Sequence, residues 1–202
     1  MGGRVLLDEL VQRGAVWRGR SVAGQAGDCL PSGWDELDRL IGGGWPRGAL
    51  TELLAERHCG LGLFVPALAR LSRDGGWLVW VSPPLLPYAP ALRARGIELS
   101  RSLLVRAPSE QQLWATEQAL LAEGCGAVLS WPSVVTMPQL RRLQLAAEAG
   151  RGLGLVFRPL EALGEASPAT LRLQVTPAGG ILRVRAVKRP RGWGGGQVRI
   201  RV

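Results

Sequence analysis

The spacing of apolar residues predicts that strands and helices alternate over the middle of the chain. WLVWV at 77–81 is a short, continuous apolar run, typical of a strand covered on both faces, and further strand-like segments lie at 50–54, 126–131 and 153–157. Between them apolar residues recur at helical spacing, first after Gly60, then from Ser109 to Gly124 and from Thr136 to Gly150. Such an order predicts a mostly parallel sheet with right-handed crossovers, flanked by helices.

The helical segments carry end signals and a predicted buried face. Ser109 and Gln112 have the spacing of a capping box, and Gly124 stands where that helix should end. We expect its buried stripe to consist of Leu113, Trp114, Leu120 and Leu121. The next helix begins at Thr136, and its buried face should consist of Met137, Leu140, Leu143 and Ala147.

The pattern changes beyond Ser167, where apolar and polar residues alternate with the period of a strand. TLRLQVT, a turn at 178–180 and ILRVRAV predict an antiparallel hairpin, and QVRIRV places Arg199 and Arg201 on the face opposite Val198 and Ile200. The segment 14–33 is rich in Gly, Ala and Ser and follows a short helical pattern at 5–13. We therefore expect an N-terminal arm and linker (1–33), a core (34–165) and a basic hairpin extension (166–202).

Eight tryptophans are many for 202 residues. We expect Trp77, Trp80, Trp114 and Trp131 to lie in the core, since they fall on predicted strands and helices. Trp17, Trp34 and Trp45 fall in arm or loop sequence, where an exposed tryptophan would mark an interface.

The net charge of +9 is concentrated at the C-terminal end. Of the 25 Lys and Arg residues eight follow Glu165, the last acidic residue, which leaves 17 basic against 16 acidic residues up to that point. This asymmetry indicates an anionic partner or an acidic protein surface. Three dispersed cysteines without a C-x-x-C pair favour a reducing, cytoplasmic location, and no apolar run reaches the ~18 residues of a membrane span.

The segment LPSGWDELDRLIGGGWPRGALTELL resembles the entry of RecA-like domains. The matching residues are Ser32, Gly33, Leu37, Asp38, Gly43, Gly44, Gly48 and Glu52. More specifically the chain resembles ImuA-type translesion-synthesis proteins in VWRGRS (16–21), GGGWPRGALTELL (42–54), PPLLPYAPAL (83–92), LWATEQALLAEGCGAVLSW (113–131), LRRLQLAAEAG (140–150) and KRPRGW (188–193). Cell-division inhibitors of the SulA type share the central pattern and are the alternative.

A phosphate loop of the form G-x-x-x-x-G-K-[ST] needs glycines for backbone approach, a lysine for phosphate charge and a hydroxyl for magnesium. The corresponding segment AERHCGLG keeps only Gly60, while Ala55, Leu61 and Gly62 replace the first glycine, the lysine and the hydroxyl residue. Acidic residues are also missing after two strands, at 82–84 and 131–132. We therefore expect no ATPase activity, no catalytic residue and no cofactor.

Two other chemistries are weakly represented. The single histidine, His58, adjoins Cys59, but adjacent side chains seldom point at one another as a nucleophile and its base must. One histidine and three dispersed cysteines have no zinc-ligand spacing, so we predict no metal.

The remaining candidates bind DNA or a protein partner. They are Arg183, Arg185, Lys188, Arg189, Arg191, Trp193, Arg199 and Arg201, whose residue types suit phosphate contact and base stacking on single-stranded DNA as well as a protein interface. The ImuA resemblance implies a non-catalytic adaptor in bacterial SOS-induced translesion synthesis. Its implied partners are an inactive Y-family polymerase relative of the ImuB type, an error-prone replicative-type polymerase and RecA, with self-association as a further expectation. The SulA alternative implies binding to the tubulin-like division protein.

Overall fold

A computed structural model describes residues 28–56, 59–190 and 192–202, and for Trp193 the backbone alone. The predicted helix at 5–13, most of the N-terminal arm with Trp17, and His58 and Arg191 lie outside the described residues. The structure is α/β: a nine-stranded mixed sheet, mostly parallel, carries helices on both faces and ends in an antiparallel hairpin. The predicted fold class is confirmed at this level.

The strands of the main sheet follow the order β10-β9-β8-β3-β7-β6-β4-β5, with β11 beside β9. Their bounds are β3 Ala49–Ala55, β4 Trp77–Val81, β5 Ser102–Val105, β6 Cys125–Ser130, β7 Leu153–Arg158, β8 Leu171–Ala178, β9 Ile181–Arg189, β10 Gly192–Trp193 and β11 Gln197–Ile200. A separate pair joins β1 Cys29–Leu30 to β2 Trp45–Pro46. Strands β3 to β8 pair in parallel, whereas β9 pairs antiparallel with β8, β10 and β11.

In the part of the chain that the structure describes, five helices cover the sheet or connect its strands. They are α1 Asp35–Ile41, α2 Val65–Arg73, α3 Ala89–Ala94, α4 Ser109–Leu121 and α5 Met137–Gly150, with 3-10 turns at Leu61–Leu63, Leu99–Arg101 and Leu160–Gly164. α1 and α2 pack on one face of the sheet and α4 and α5 on the other, so that two apolar layers are buried. Among the described residues no helix is both long and apolar enough to cross a bilayer.

The C-terminal hairpin extends the main sheet. β8 pairs in parallel with β3, and Gly179 and Gly180, both with positive φ, turn the chain into β9. β10 and β11 then pair with successive parts of β9, separated by the glycines at 194–196. A Cβ on Gly194 would collide with the carbonyl oxygen of Val187, so any side chain there would push the returning chain away from β9.

Several expectations about buried residues are wrong. Trp114 and Leu121 are exposed, whereas Leu120 is buried as predicted, together with Gln112 and Thr116. The hydroxyl of Thr116 lies 2.8 Å from that of Ser130 on β6, so the inner face of this helix is partly a polar contact. Trp77 and Met137 are also exposed, by 39% and 48%.

Helix ends are predicted with mixed success. α5 begins after Thr136, as predicted, and Thr136 forms a capping box with Gln139 that was not predicted. Ser109 is not the cap of α4, because Pro108 occupies the N-cap position without a side-chain bond. Gly150 lies inside α5, and Arg151 takes the left-handed C-terminal position with φ +59.

Candidate functional site

A row of buried aromatic rings lies beside α2, at the ends of the parallel strands. Trp131 stacks between Trp80 and Phe157, with ring centroids 6.3 and 4.5 Å apart and nearly parallel planes. Phe157 meets Phe64 edge-on at 5.7 Å, and Phe64 contacts Trp45 at 4.3 Å. All five side chains are at most 9% exposed. Trp131 directly follows β6, the strand after which an active ATPase would carry an acidic metal ligand. In this protein that position belongs to the apolar core.

The loop between β3 and α2 is where a phosphate loop would lie. Gly60 has φ +100 and packs against Leu53, and a 3-10 turn follows at Leu61–Leu63. The side chain of Val202 lies over Gly62, and the indole of Trp34 donates to the carbonyl oxygen of Leu63 at 3.3 Å. The described part of this loop is therefore covered by apolar and aromatic groups.

A shallow groove opens at the start of α4, beside the loop that follows β6. Its volume is about 300 Å³, and the described residues that line it are Ser109, Glu110, Gln112, Leu113, Pro132, Ser133 and Val134. None of these is cationic, and Glu110 would repel a phosphate. The groove lacks the charge that nucleotide binding requires.

A buried ion-pair cluster joins β3, β7 and β8. Glu52 is fully buried and accepts hydrogen bonds from Arg158 at 3.2 Å and from Arg172 at 2.6 Å. Arg158 also bonds Glu165 at 2.6 Å, and Arg172 donates to the carbonyl oxygens of Glu165 and Ala162. Glu52, noted above for its resemblance to the RecA-like entry, is thus the central counter-charge of this cluster. Arg172 is correspondingly not available to a ligand.

An open, basic face lies on the outer strands of the sheet, and we call it the basic face. It comprises Arg183 and Arg185 of β9 and Arg199 of β11, together with Gln174, Thr176 and Gln197. Arg183 stands directly opposite Arg199, and Arg185 opposite Gln197. The alternate residues Leu182, Val184 and Ile200 point into the core, so the three arginines are exposed together. The alternation of β9 and β11 thus exposes these three arginines on one side of the sheet, and their role in binding stays a prediction.

A bulge on β9 separates the other predicted residues of this strand. Arg172 pairs with Lys188 and Leu173 with Ala186, so Val187 is an extra residue and the side-chain alternation is reversed beyond it. Lys188 therefore shares the side of Arg183 and donates to the carbonyl oxygen of Ser167 at 3.1 Å. Arg189 turns to the opposite side, where it donates to the carbonyl oxygen of Leu40 in α1.

Lys188 differs from the exposed arginines in its surroundings. Burial lowers the pKa of its ammonium group most, and the neighbouring Arg172 guanidinium lowers it further, whereas the Glu52 carboxylate raises it. Of the remaining candidates, Arg201 is exposed just after β11, the backbone of Trp193 pairs with Lys188, and Arg191 lies outside the described residues.

A second exposed surface lies at the other side of the sheet, and we call it the apolar edge. It comprises Leu85, Leu86 and Tyr88 after β4 and Leu103 and Leu104 of the edge strand β5. The first three are 81%, 68% and 71% exposed. Leu85, Leu86 and Tyr88 lie close together along the loop, and exposed apolar residues that form a patch are typical of interaction surfaces. The sequence-based predictions do not include this surface, although PPLLPY places three large apolar residues in a loop.

The cysteines are reduced and do not form a site. Burial raises the pKa of the Cys59 thiol, and it raises the pKa of Cys125 to about 11. Both shifts oppose thiolate formation, and so disfavour the nucleophile considered above. Within the described residues no group of His, Cys, Asp and Glu could hold a metal ion.

Comparisons with known proteins place this structure in a family. The family described as "MT3502 N-terminal domain" matches residues 38–159, which run from α1 to just after β7. A cell division inhibitor SulA from Edwardsiella piscicida is 33% identical over 108 residues, 52% of this chain and 64% of the relative. SulA from Yersinia pestis (strain Pestoides F) is 32% identical over 114 residues, 55% of this chain and 68% of the relative. The chain thus spans about two thirds of the length of these relatives.

These relatives support the resemblance to SulA, which was the alternative above. They do not confirm the ImuA assignment. The family match covers the sheet core and leaves the basic strands β9 and β11 outside it. Because that match spans more than half of the chain, the protein belongs to the MT3502 N-terminal domain family, which is related to the SulA cell division inhibitors.

Proposed function

We propose that this chain acts by binding and not by catalysis, as a damage-response inhibitor of cell division that binds the tubulin-like division protein. The observation that carries the proposal is its similarity to relatives named cell division inhibitors. The absence of catalysis is supported by the aromatic row and by the loop after β3, where the described residues supply neither phosphate charge nor a metal ligand.

The apolar edge is the surface that we propose for the division protein. It combines large, exposed side chains with an edge strand, and protein interfaces are centred on such apolar groups. Leu85, Leu86 and Tyr88 extend furthest into solvent and should contribute most of the contact.

The proposal is tested by inducing the chain in a rod-shaped bacterium and measuring cell length. Wild type should produce filaments, and the L85S/L86S/Y88S variant should restore normal length, because it removes the apolar contacts without touching the core. The matched control is L121S/M137S/L145S, which removes three exposed apolar residues from α4 and α5 and should still produce filaments. Normal cell length with abundant, folded wild-type protein would refute the proposal.

A second candidate is the translesion adaptor of the ImuA type, with a RecA-like core that binds the inactive Y-family polymerase relative, the error-prone replicative-type polymerase or RecA. The observation that favours it is the basic face, which lies on strands outside the family match. Damage-induced mutation frequency separates the two functions. Loss of mutagenesis on deletion, with no filaments on overexpression, would favour the adaptor, whereas filaments with unchanged mutagenesis would favour the inhibitor.

A further inference from the structure

The basic face contains a charge arrangement that is unfavourable for the isolated protein. Arg183 and Arg199 are cross-strand partners, and like charges in that position are destabilising. Among the described residues no carboxylate pairs with Arg183, Arg185 or Arg199, although Arg185 donates to Gln174 at 3.4 Å. The buried arginines Arg158 and Arg172, by contrast, are both paired with Glu52. The exposed row is thus a site of uncompensated positive charge.

The spacing of the row matches an extended polyanion. Arg183 and Arg185 are two residues apart on a strand, about 6.8 Å, and β11 lies about 4.8 Å to the side. The α4–α5 layer packs on the inner strands, so the outer strands on this side remain open and the arginines form a flat grid. Glutamine and threonine side chains stand between them as neutral hydrogen-bonding groups.

The composition of the basic face favours nucleic acid over an acidic protein. Its central outward positions on β8, β9 and β11 are Gln174, Thr176, Arg183, Arg185, Gln197 and Arg199, and the half-buried Ile181 lies at the turn end of β9. The centre of the face is therefore polar and cationic. Protein interfaces have an apolar centre, whereas nucleic-acid interfaces are more polar and more positive. Within the described residues, this face carries no helix that could enter a groove of a duplex.

We infer that the basic face binds single-stranded nucleic acid through its phosphates, an activity beyond inhibition of cell division. Arg183, Arg185 and Arg199 contact successive phosphates along the strand direction, and Gln174 and Gln197 donate further hydrogen bonds. Binding of this kind is independent of base sequence and decreases as salt increases, because each neutralised phosphate releases counterions.

The test measures binding of the full chain to a fluorescently labelled oligothymidylate by fluorescence anisotropy, over a series of salt concentrations. The oligothymidylate should be longer than ~16 nucleotides, the length of a large single-strand binding site. R183Q/R185Q/R199Q should bind more weakly, and the slope of log K against log salt should flatten by about 2, from three contacts at about 0.7 each. R183K/R185K/R199K keeps the charges and should keep the slope. The matched control is R73Q/R93Q/R95Q. It removes three exposed charges at the end of α2 and at the end of α3, and it should behave as wild type.

Circular dichroism establishes that each variant is folded before its binding is interpreted. Unchanged binding by folded R183Q/R185Q/R199Q, or an equal loss in the control, would overturn the inference. So would tighter binding to a duplex of the same length. Binding to polyglutamate without binding to oligothymidylate would overturn it as well, and would assign the face to an acidic protein. None of these results depends on whether the chain causes filaments, so failure here is distinct from failure of the proposed division inhibitor.

Discussion

Glu52 illustrates how a single charged side chain can be held in the interior. Its two oxygens are each hydrogen-bonded to a different arginine, and both arginines are nearly as buried as the carboxylate itself. Burial of charge is costly unless it is paired and hydrogen-bonded. The three residues come from three different strands, so the cluster ties the parallel core to the C-terminal hairpin.

Removal of the carboxylate in E52Q should destabilise the protein strongly. Arg172 would remain buried without a counter-charge and Arg158 would keep only its ion pair with Glu165, and an uncompensated buried charge costs about 3–5 kcal/mol. The measurement is the free energy of unfolding in urea. The control is E165Q, which breaks an ion pair with a 56% exposed carboxylate and should cost less than about 1 kcal/mol. Equal effects of the two variants would show that Glu52 is not the central group.

Cys125 supplies a residue-scale prediction about pH. Its pKa of about 11 leaves roughly one thiolate per thousand thiols at pH 8, and the side chain is buried. Alkylation by iodoacetamide at pH 8 should therefore spare Cys125 in the folded protein and modify it in urea. Peptide mass mapping measures this directly. Rapid modification of Cys125 in the folded chain would contradict the buried position on β6.

At the scale of elements, α5 ends at a position that favours glycine but is occupied by Arg151. Arg151 adopts φ +59 and ψ 9, a left-handed conformation in which the amide of Arg151 bonds the carbonyl oxygen of Ala147. Glycine adopts this conformation without strain, whereas a Cβ costs about 1–2 kcal/mol.

R151G should therefore be more stable than R151A by about 1 kcal/mol. Both variants lose the arginine side chain, so the comparison isolates the backbone effect. The midpoint of thermal unfolding measures the difference. A lower midpoint for R151G than for R151A would mean that the left-handed end of α5 is not retained.

The elements that sequence predicts best are long and strongly patterned. β4 is predicted to the residue, and β8 and β9 follow from alternation. α1, α3 and β5 are short, with seven, six and four residues, so their periodicity is weak. The face of α4 was predicted wrongly because Thr116 makes its hydrogen bond inward to Ser130, a tertiary contact that no local pattern reveals.

The site was predicted unevenly for a similar reason. Alternation on β9 correctly groups Arg183 with Arg185 and on β11 selects Arg199. One extra residue, Val187, then reverses the alternation and sends Arg189 to α1. A bulge of this kind depends on how β8 and β9 pair, which the sequence of one strand does not contain.

At the scale of the whole molecule, the structure of the loop after β3 predicts how nucleotide affects thermal stability. A ligand at 100 times its Kd would stabilise the native state by about 2.7 kcal/mol. Because the described part of the loop is covered by Trp34 and Val202, ATP with magnesium should leave the unfolding temperature unchanged. Differential scanning fluorimetry with a P-loop ATPase as positive control tests this. A reproducible, saturable increase would indicate a residual nucleotide-binding switch.

The two exposed surfaces lie at opposite ends of the sheet. Six strand intervals separate β9 from β5 in the strand order, which corresponds to about 29 Å at ~4.8 Å per interval. A protein partner on the apolar edge and a nucleic acid on the basic face would therefore not compete for space. On these two proposals, the molecule would hold two different ligands at once.

The apolar edge has a further consequence for how the protein behaves in concentrated solution. β5 presents SLLV at an open side of the sheet, a segment that invites pairing with the same strand of another copy. Arg101 and Arg106 stand immediately before and after it, and Arg101 lies 5.3 Å from the ring of Trp77. Charges that flank an exposed apolar strand oppose aggregation. We therefore expect these two arginines, which take no part in the basic face, to oppose pairing of β5 with the same strand of another copy.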